Sequence, residues 1–201
     1  LVGCSSPSQT AQPTQTATPV LAASSTPAAT AESTPSHVVI TSIEEFVICN
    51  RASVQKYPAI SGDIVVWQDN RNSSTNRSDI YSYNISDGTE SPVCIQHDEQ
   101  SSPAISGDII IWEHQYTTSV IRDVRGYNLS AGKSFSIGQT YWRGSPAVSE
   151  DTLVWVSDGA IHFFDSNYNE DVAISDTAYY QSSPAISGNI VVWTDERDDQ
   201  G

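Results

Sequence analysis

PAISGDIVVWQD, at residues 58–69, decides the fold because the same pattern returns three times along the chain. The later copies read PAISGDIIIWEH from Pro103, PAVSEDTLVWVS from Pro146 and PAISGNIVVWTD from Pro184. A period of about 20–50 residues is typical of solenoids, propellers and other repeat architectures. The repeat prolines lie 45, 43 and 38 residues apart, so the chain is predicted to repeat one structural unit.

Each repeat predicts four short strands and no helix. A short first strand at 59–61 leads through the turn Gly62–Asp63 into the apolar run 64–67, which is too short for a helix and rich in β-branched residues. We expect that run to be a strand buried on both faces. Residues 79–85 and 90–95 then predict the third and fourth strands.

Four antiparallel strands per repeat are the signature of a β-propeller blade. The predicted fold class is therefore all-β, with about three and a half blades of a ring of six to eight blades. Residues 43–49 align with the fourth strand at 90–94. We expect 43–49 to be the outer strand of a final blade whose remainder lies beyond Gly201, so the chain is predicted to be a fragment.

PAISGDIVVWQDNR followed by DIYSYNIS resembles the TolB-type β-propeller repeat, and the resemblance covers residues 43–201. It implies a propeller fold found in bacterial and archaeal surface and periplasmic proteins. Such propellers serve as partner-binding scaffolds in envelope complexes, as surface proteins of unknown role and as non-catalytic domains beside hydrolases. Repeat three departs from the pattern, since Glu150 replaces the turn glycine.

The loop between the second and third strands absorbs the variation in repeat length. The spacing from the repeat tryptophan to the third-strand aromatic falls from 16 residues at Trp67–Tyr83 to 15 at Trp112–Tyr127 and 9 at Trp155–Phe164. In a propeller this loop shares one face with the connections between blades, and we call it the loop face. Variable loops on a constant scaffold are where binding usually occurs.

The N-terminal residues predict an extracytoplasmic, lipid-anchored protein. Leu1-Val2-Gly3-Cys4 resembles the end of a lipoprotein signal, with Cys4 as the acylated residue. Residues 5–37 are almost entirely Ser, Thr, Ala, Pro and Gln, which predicts a disordered linker. The partial propeller is expected over 38–201.

The net charge of −15 argues against a nucleic-acid partner, because phosphate binding needs clustered Lys and Arg and the chain has only 9. No segment is long and apolar enough to span a bilayer, so we expect membrane contact through the lipid anchor alone.

Two aromatic pairs are the candidate binding residues. Tyr141–Trp142 and Tyr179–Tyr180 precede their repeat prolines by four to five residues, in the connection that enters the innermost strand. Exposed aromatics near the channel would suit a protein or glycan partner at the loop face. Alternatively, they cover the seam between blades.

The four repeat tryptophans predict one core residue per blade, with sugar stacking as the alternative; they are Trp67, Trp112, Trp155 and Trp193. Cys49 and Cys94 occupy equivalent places in different blades, too far apart for a disulfide, and are expected to be buried free thiols.

Further polar patterns allow several interpretations. Asp69 and Arg71 predict an ion pair that holds the loop, and Asp195 with Arg197 matches them. The acidic run 195–199 could instead bind calcium, but it lacks the spacing of a known calcium loop. Four asparagines fit the N-glycosylation triplet: Asn72, Asn76, Asn84 and Asn128. Turn chemistry explains the last two equally well.

No catalytic constellation, metal spacing or cofactor motif occurs in the sequence, and the four histidines occupy unrelated repeat positions. The predicted function is a non-catalytic binding or scaffold module that needs no cofactor. The alternatives are a propeller-type polysaccharide lyase or glycoside hydrolase with its catalytic residues outside this stretch, or a structural envelope protein.

Overall fold

The computed structural model describes residues 43–72, 77–140, 144–165, 170–175 and 179–196. The chain divides into two compact units, Leu1–Glu44 and Glu45–Gly201, and every described strand lies in the second unit. Within the described residues this unit is all-β, as the repeats predict.

Three four-stranded sheets and one two-stranded sheet follow one another along the chain, and we call them blades 1 to 4. Blade 1 holds β1 (Gln55–Ser61), β2 (Ile64–Asp69), β3 (Asp79–Asn84) and β4 (Thr89–Cys94). Blade 2 holds β5 (Glu99–Ser106), β6 (Ile109–Gln115), β7 (Arg122–Asn128) and β8 (Lys133–Thr140). Blade 3 holds β9 (Ala147–Ser149), β10 (Thr152–Ser157), β11 (Ala160–Asp165) and β12 (Glu170–Ala173), and blade 4 holds β13 (Gln181–Ser187) and β14 (Ile190–Asp195).

The strands of each blade are antiparallel and pair in chain order, which confirms the four-stranded prediction for the first three repeats. The first strands of neighbouring blades, β1, β5, β9 and β13, contact one another and line a common axis. The loop between the second and third strands shortens from 70–78 in blade 1 to 116–121 in blade 2 and 158–159 in blade 3, as predicted.

Two-residue turns join the first and second strands of each blade. Ser61 pairs with Ile64, and Gly62 alone of the two turn residues has a positive φ, 54°, as a type II′ hairpin requires. Blade 3 makes the same turn with Glu150, whose φ is 53°. A side chain in this left-handed region is strained. Blade 3 nevertheless keeps the backbone conformation of the turn, although Glu150 replaces the glycine.

The repeat proline lies in a β-bulge on the innermost strand. Lys56 pairs with Gln68 and Ala59 with Val66, which leaves two residues, Tyr57 and Pro58, opposite Trp67. The first strand therefore begins at Gln55, before the proline, rather than after it as the sequence predicts. Proline has no N–H to donate, so a sheet accepts it at a bulge or on an edge strand, and the innermost strand is an edge.

Three repeat tryptophans, Trp112, Trp155 and Trp193, lie between blades and pack toward the preceding blade, whereas Trp67 lies on the free face of blade 1. Trp112 packs with Val66 and Ile80 of blade 1, and Trp155 with Ile109 and Ile111 of blade 2. Both indoles are almost fully buried, as is Trp67, whereas Trp193 is half-buried against blade 3. Because side chains alternate along a strand, a single apolar run supplies the cores on both sides of its blade.

The repeat serine connects each blade to the next by a hydrogen bond. The backbone N–H of Gly107 donates to Ser61 Oγ at 2.9 Å, and that of Glu150 to Ser106 Oγ at 2.8 Å. Gly188 donates to Ser149 Oγ at 3.0 Å in the third seam. The serine of the PAIS pattern therefore satisfies a turn donor of the following blade.

Residues 43–50 form no strand, so the prediction of an outer strand at 43–49 is wrong in this structure. Ile48 and Cys49 instead pack on the free face of blade 1, beside Trp67. A strand needs a neighbour to pair its backbone groups, and the described part of blade 4 has no third strand. The outer face of blade 4 is uncovered there: Val192 is 58 % exposed, whereas its counterpart Val66 is fully buried.

Candidate functional site: the loop face and the axial cavity

Tyr179 and Tyr180 lie at the loop face, where β13 begins. Their side chains are 44 % and 48 % exposed. The carbonyl of Tyr180 accepts a hydrogen bond of 3.1 Å from the N–H of Glu196, just as Val54 accepts from Asn70 in blade 1. The pair thus presents two rings to solvent from a backbone that is tied to the end of β14. The other predicted pair, Tyr141 and Trp142, lies outside the described residues.

Blades 1 and 4 share a glutamine–aspartate contact. The glutamine lies three residues before the repeat proline, and the aspartate lies two residues after the repeat tryptophan. Gln55 donates from Nε2 to Asp69 Oδ2 at 3.3 Å. Gln181 donates to Asp195 Oδ2 at the same distance. These contacts join the first and second strands of a blade at the loop face. The sequence carries a signal for them that the predictions did not use, because Gln55, Gln100 and Gln181 are equivalent in the repeat.

In blade 2, His114 occupies the position of the aspartate in this contact. Its Nδ1 lies 3.5 Å from Gln100 Nε2, and its Nε2 lies 3.4 Å from Asp98 Oδ2. The imidazole is fully buried, and burial lowers its pKa, helped by the charge of Arg125; Asp98 and Asp123 oppose that effect. Gln100 Nε2 also donates to the Asp98 carbonyl at 2.7 Å, so the amide N–H group faces Nδ1, and burial favours the neutral imidazole.

Asp69 anchors the loop of blade 1. Its Oδ2 accepts from Arg71 Nη2 at 2.6 Å, which confirms the predicted ion pair, and its Oδ1 accepts from Ser53 Oγ at 2.8 Å. Trp67 Nε1 also donates to Asp69, at 3.2 Å. Burial raises the pKa of Asp69, but the hydrogen bonds from Arg71, Ser53 and Trp67 outweigh it and hold that pKa far below its usual range.

Arg71 continues across the free face of blade 1. Its guanidinium binds Glu90 as well as Asp69 and stacks on Tyr81, and its Nη2 lies 3.2 Å from Cys49 Sγ. The hydrogen bond from Arg71 lowers the pKa of Glu90. A cavity of about 590 Å³ opens beside this cluster, but the two carboxylates already neutralise Arg71.

Cys49 and Cys94 form no disulfide, as predicted. Cys94 is buried and its pKa is raised to about 11 by burial. Cys49 is half-buried rather than fully buried.

The predicted glycosylation sites are engaged in local hydrogen bonds where the structure describes them. Asn72 Nδ2 donates to Asp79 and Tyr81, at 2.8 and 2.6 Å. Asn84 and Asn128 accept backbone hydrogen bonds in the turns that follow their strands, which supports the turn interpretation. Asn76 and Cys4 lie outside the described residues, as do Arg197 and most of the run 195–199.

Histidine, cysteine and carboxylate side chains of the described ranges form no group of three or more that could hold a metal ion. Those ranges also contain no helix with the length and apolar character needed to cross a membrane.

An axial cavity of about 390 Å³ is lined by the four bulges. Each bulge contributes its repeat proline and the residue before it, and these preceding residues are Tyr57, Ser102, Ser145 and Ser183. All four have a positive φ, between 40° and 53°, although none is glycine. A proline favours an extended residue before it, and the left-handed region strains any side chain. The same strained backbone conformation therefore occurs at four equivalent positions around one cavity.

Comparison with protein-family models gives no match, and comparison with curated proteins gives none. Among solved structures, TolB from Acinetobacter baumannii superposes with a TM-score of 0.55 at 12% identity, over 73% of this chain and 39% of that chain. The β-propeller domain of the Trilobed protease from Pyrococcus furiosus, whose topology is described as open velcro, has a TM-score of 0.51 at 13% identity, over 70% and 52%.

The chain thus spans about half or less of these two structures. At such identities the likeness concerns the fold alone. It agrees with the four-stranded antiparallel sheets, and the fold of this chain is that of a TolB-like β-propeller, seen in the described residues as three four-stranded blades and half of a fourth.

Proposed function

We propose that the chain is a non-catalytic binding module, displayed outside the cytoplasm on a lipid anchor, whose loop face takes a protein or glycan partner. The observation that carries this proposal is the exposure of Tyr179 and Tyr180 on a fixed backbone. Tyrosine is enriched in binding sites because it offers a large, rigid contact surface with a polar end.

The turn face of the propeller is acidic, which disfavours it for an anionic partner. This face lies opposite the loop face, carries the hairpin turns and presents Asp63, Asp87, Asp108, Glu150 and Asp151. Among the described residues it holds one basic side chain, Lys133. The other described basic residues lie toward the loop face, where Arg71, Arg122 and Arg125 are paired with carboxylates; the rest are Arg51, Lys56 and Arg77. An anionic cell surface or glycan would therefore be repelled from the turn face.

The partner site is tested with a Tyr179→Ala, Tyr180→Ala double variant on an array of immobilised glycans and peptides. We expect the double variant to lose the binding that the parent chain shows, with an unchanged melting temperature. Val172→Ala is the matched control, because Val172 is 46 % exposed on the outer strand β12, away from the loop face. If both variants bind like the parent chain, the tyrosines are not the site.

The anchor is supported by the resemblance of Leu1–Cys4 to a lipoprotein signal and by the polar linker at 5–37. Expression behind a lipoprotein signal peptide should place the protein in the detergent phase of a Triton X-114 separation. A Cys4→Ala variant should stay in the aqueous phase, and detergent partition of that variant would refute acylation at Cys4.

The alternative function is a propeller that serves an enzyme. The Pyrococcus furiosus structure is the propeller domain of a protease, so a catalytic domain beside this propeller is the second candidate. Hydrolysis or lyase assays on the partner found by the array distinguish the two: turnover of the partner would favour the enzyme, and unchanged partner would favour the binding module.

A further inference from the structure

The four residues that precede the repeat prolines share one chemical group. Ser102, Ser145 and Ser183 each present a hydroxyl, and the fourth member, Tyr57, presents a phenol. None of these four hydroxyl groups makes a hydrogen bond to any residue within the described part of the chain. Their hydroxyls are therefore not used to hold the blades together, unlike those of the PAIS serines.

Glycine would fit these positions better than any of the residues that occupy them. All four have a φ between 40° and 53°, which glycine adopts without strain and other residues do not. The chain does use glycine at such angles elsewhere, as at Gly62, Gly107 and Gly188. Strain retained at four equivalent positions around one cavity points to a role for the side chains in binding.

Among the described residues, no charged side chain lines the cavity, although the chain carries a net charge of −15. Its lining consists of four hydroxyl-bearing residues and four prolines, of which Pro103, Pro146 and Pro184 are buried, so it offers mainly hydroxyl donors and acceptors. The hydroxyl groups of neutral sugars pair with such donors and acceptors. At about 390 Å³ the cavity falls within the range of small-molecule sites.

An extended peptide is disfavoured as the occupant. A peptide binds a sheet edge by pairing its backbone with the N–H and C=O groups of that edge. Each innermost strand interrupts its edge with a bulge and a proline, for example Tyr57–Pro58 in β1 and Ser183–Pro184 in β13. Such interruptions are a common protection of edge strands against pairing with another chain.

We propose that the axial cavity binds the neutral, hydroxyl-rich end of a saccharide chain through these four hydroxyls. The inference deepens the proposed function, on which it rests, by naming the chemical class of the ligand and a subsite that the exposed tyrosines do not form. Because the described lining residues include no carboxylate or cation, binding should be insensitive to salt between about 0.05 and 0.5 M NaCl.

The test uses the full chain and a triple variant, Ser102→Gly, Ser145→Gly, Ser183→Gly. Glycine removes the hydroxyls and relieves the backbone, so the variant should fold with an equal or higher melting temperature. Saturation-transfer NMR and calorimetry with maltose, cellobiose, lactose and N,N′-diacetylchitobiose, up to about 20 mM, should show binding to the parent chain. We expect the triple variant to bind about tenfold or more weakly.

Glu150→Gly is the matched control, because it relieves a residue with a φ of 53° away from the cavity and should leave sugar binding unchanged. The proposal is overturned if no sugar binds the parent chain, if the triple variant binds as tightly, or if an uncharged Gly-Ser peptide binds in place of the sugars. If the Tyr179, Tyr180 double variant loses array binding while the triple variant keeps full sugar binding, the axial subsite alone is overturned. The reverse result would overturn the role of the tyrosines and keep the cavity.

Discussion

The guanidinium carbon of Arg71 lies 3.9 Å from the centre of the Tyr81 ring, and blade 2 repeats this contact with the two residue types exchanged. There, Tyr116 occupies the position of Arg71 and Arg125 the position of Tyr81, at 5.5 Å. Tyr81 and Arg125 both lie directly opposite the repeat tryptophan on the next strand. A cation–π contact depends on which groups meet and not on their order in the chain, so the exchange preserves it.

Arg71→Met should destabilise the protein by about 3 kcal/mol, because it leaves Asp69 buried without its ion-pair partner. Urea titration at neutral pH measures the loss, with the exposed Lys56→Met as the control. Equal midpoints for the two variants would show that Arg71 contributes no more than a surface charge.

The same variant should change the response to acid. The lowered pKa of Asp69 makes its stabilisation fully present above about pH 4, the unfolded value, and lost as the pH falls through the lower folded value. Without the Arg71 side chain the pKa of Asp69 is lowered less, so Arg71→Met should unfold at a higher pH than the parent chain. Circular dichroism during acid titration shows the order of the two transitions.

Trp155→Ala should cost about 4 kcal/mol, since it empties a fully buried site between blades 2 and 3. Trp193→Ala should cost clearly less, because Trp193 is half-buried and the far side of its sheet is uncovered in the described residues. Denaturant unfolding compares the two variants. Similar losses would contradict the unequal burial of the two indoles.

Glu150→Gly should stabilise the protein by about 1 kcal/mol, because a glycine adopts the φ of 53° without strain and keeps the N–H that donates to Ser106. Gly107→Ala places a side chain at the equivalent turn of blade 2 and should destabilise by a similar amount. Thermal unfolding tests both, and a lower melting temperature for Glu150→Gly would show that Glu150 is not strained.

His114→Gln should flatten the pH dependence of stability between about pH 7 and pH 5. Burial lowers the pKa of His114 in the folded state, so below about pH 6.5 the unfolded chain binds a proton that the folded chain does not. Stability therefore falls as the pH falls through this range. Urea midpoints at both pH values measure the slope, and the exposed His97→Gln should keep it; an unchanged slope in His114→Gln would assign the effect to other groups.

The repeat pattern was sufficient to predict the elements. The continuous apolar run at 64–67, the Gly62–Asp63 turn and the spacing of four tryptophans depend on local periodicity and turn geometry, and the structure has each of them. The Asp69–Arg71 ion pair could also be predicted from the sequence, because its partners are two residues apart and adjoin the end of a strand.

Only the tertiary structure determined the backbone conformation of the innermost strand. A proline in a sequence indicates an interrupted strand, but a bulge with a strained residue at Tyr57, Ser102, Ser145 and Ser183 depends on the edge position of that strand around the axis. The sequence patterns also did not predict that Tyr116 and Arg125 in blade 2 take the places of Arg71 and Tyr81, for a related reason. Contacts between strands follow from register and facing side chains, which local sequence patterns do not contain.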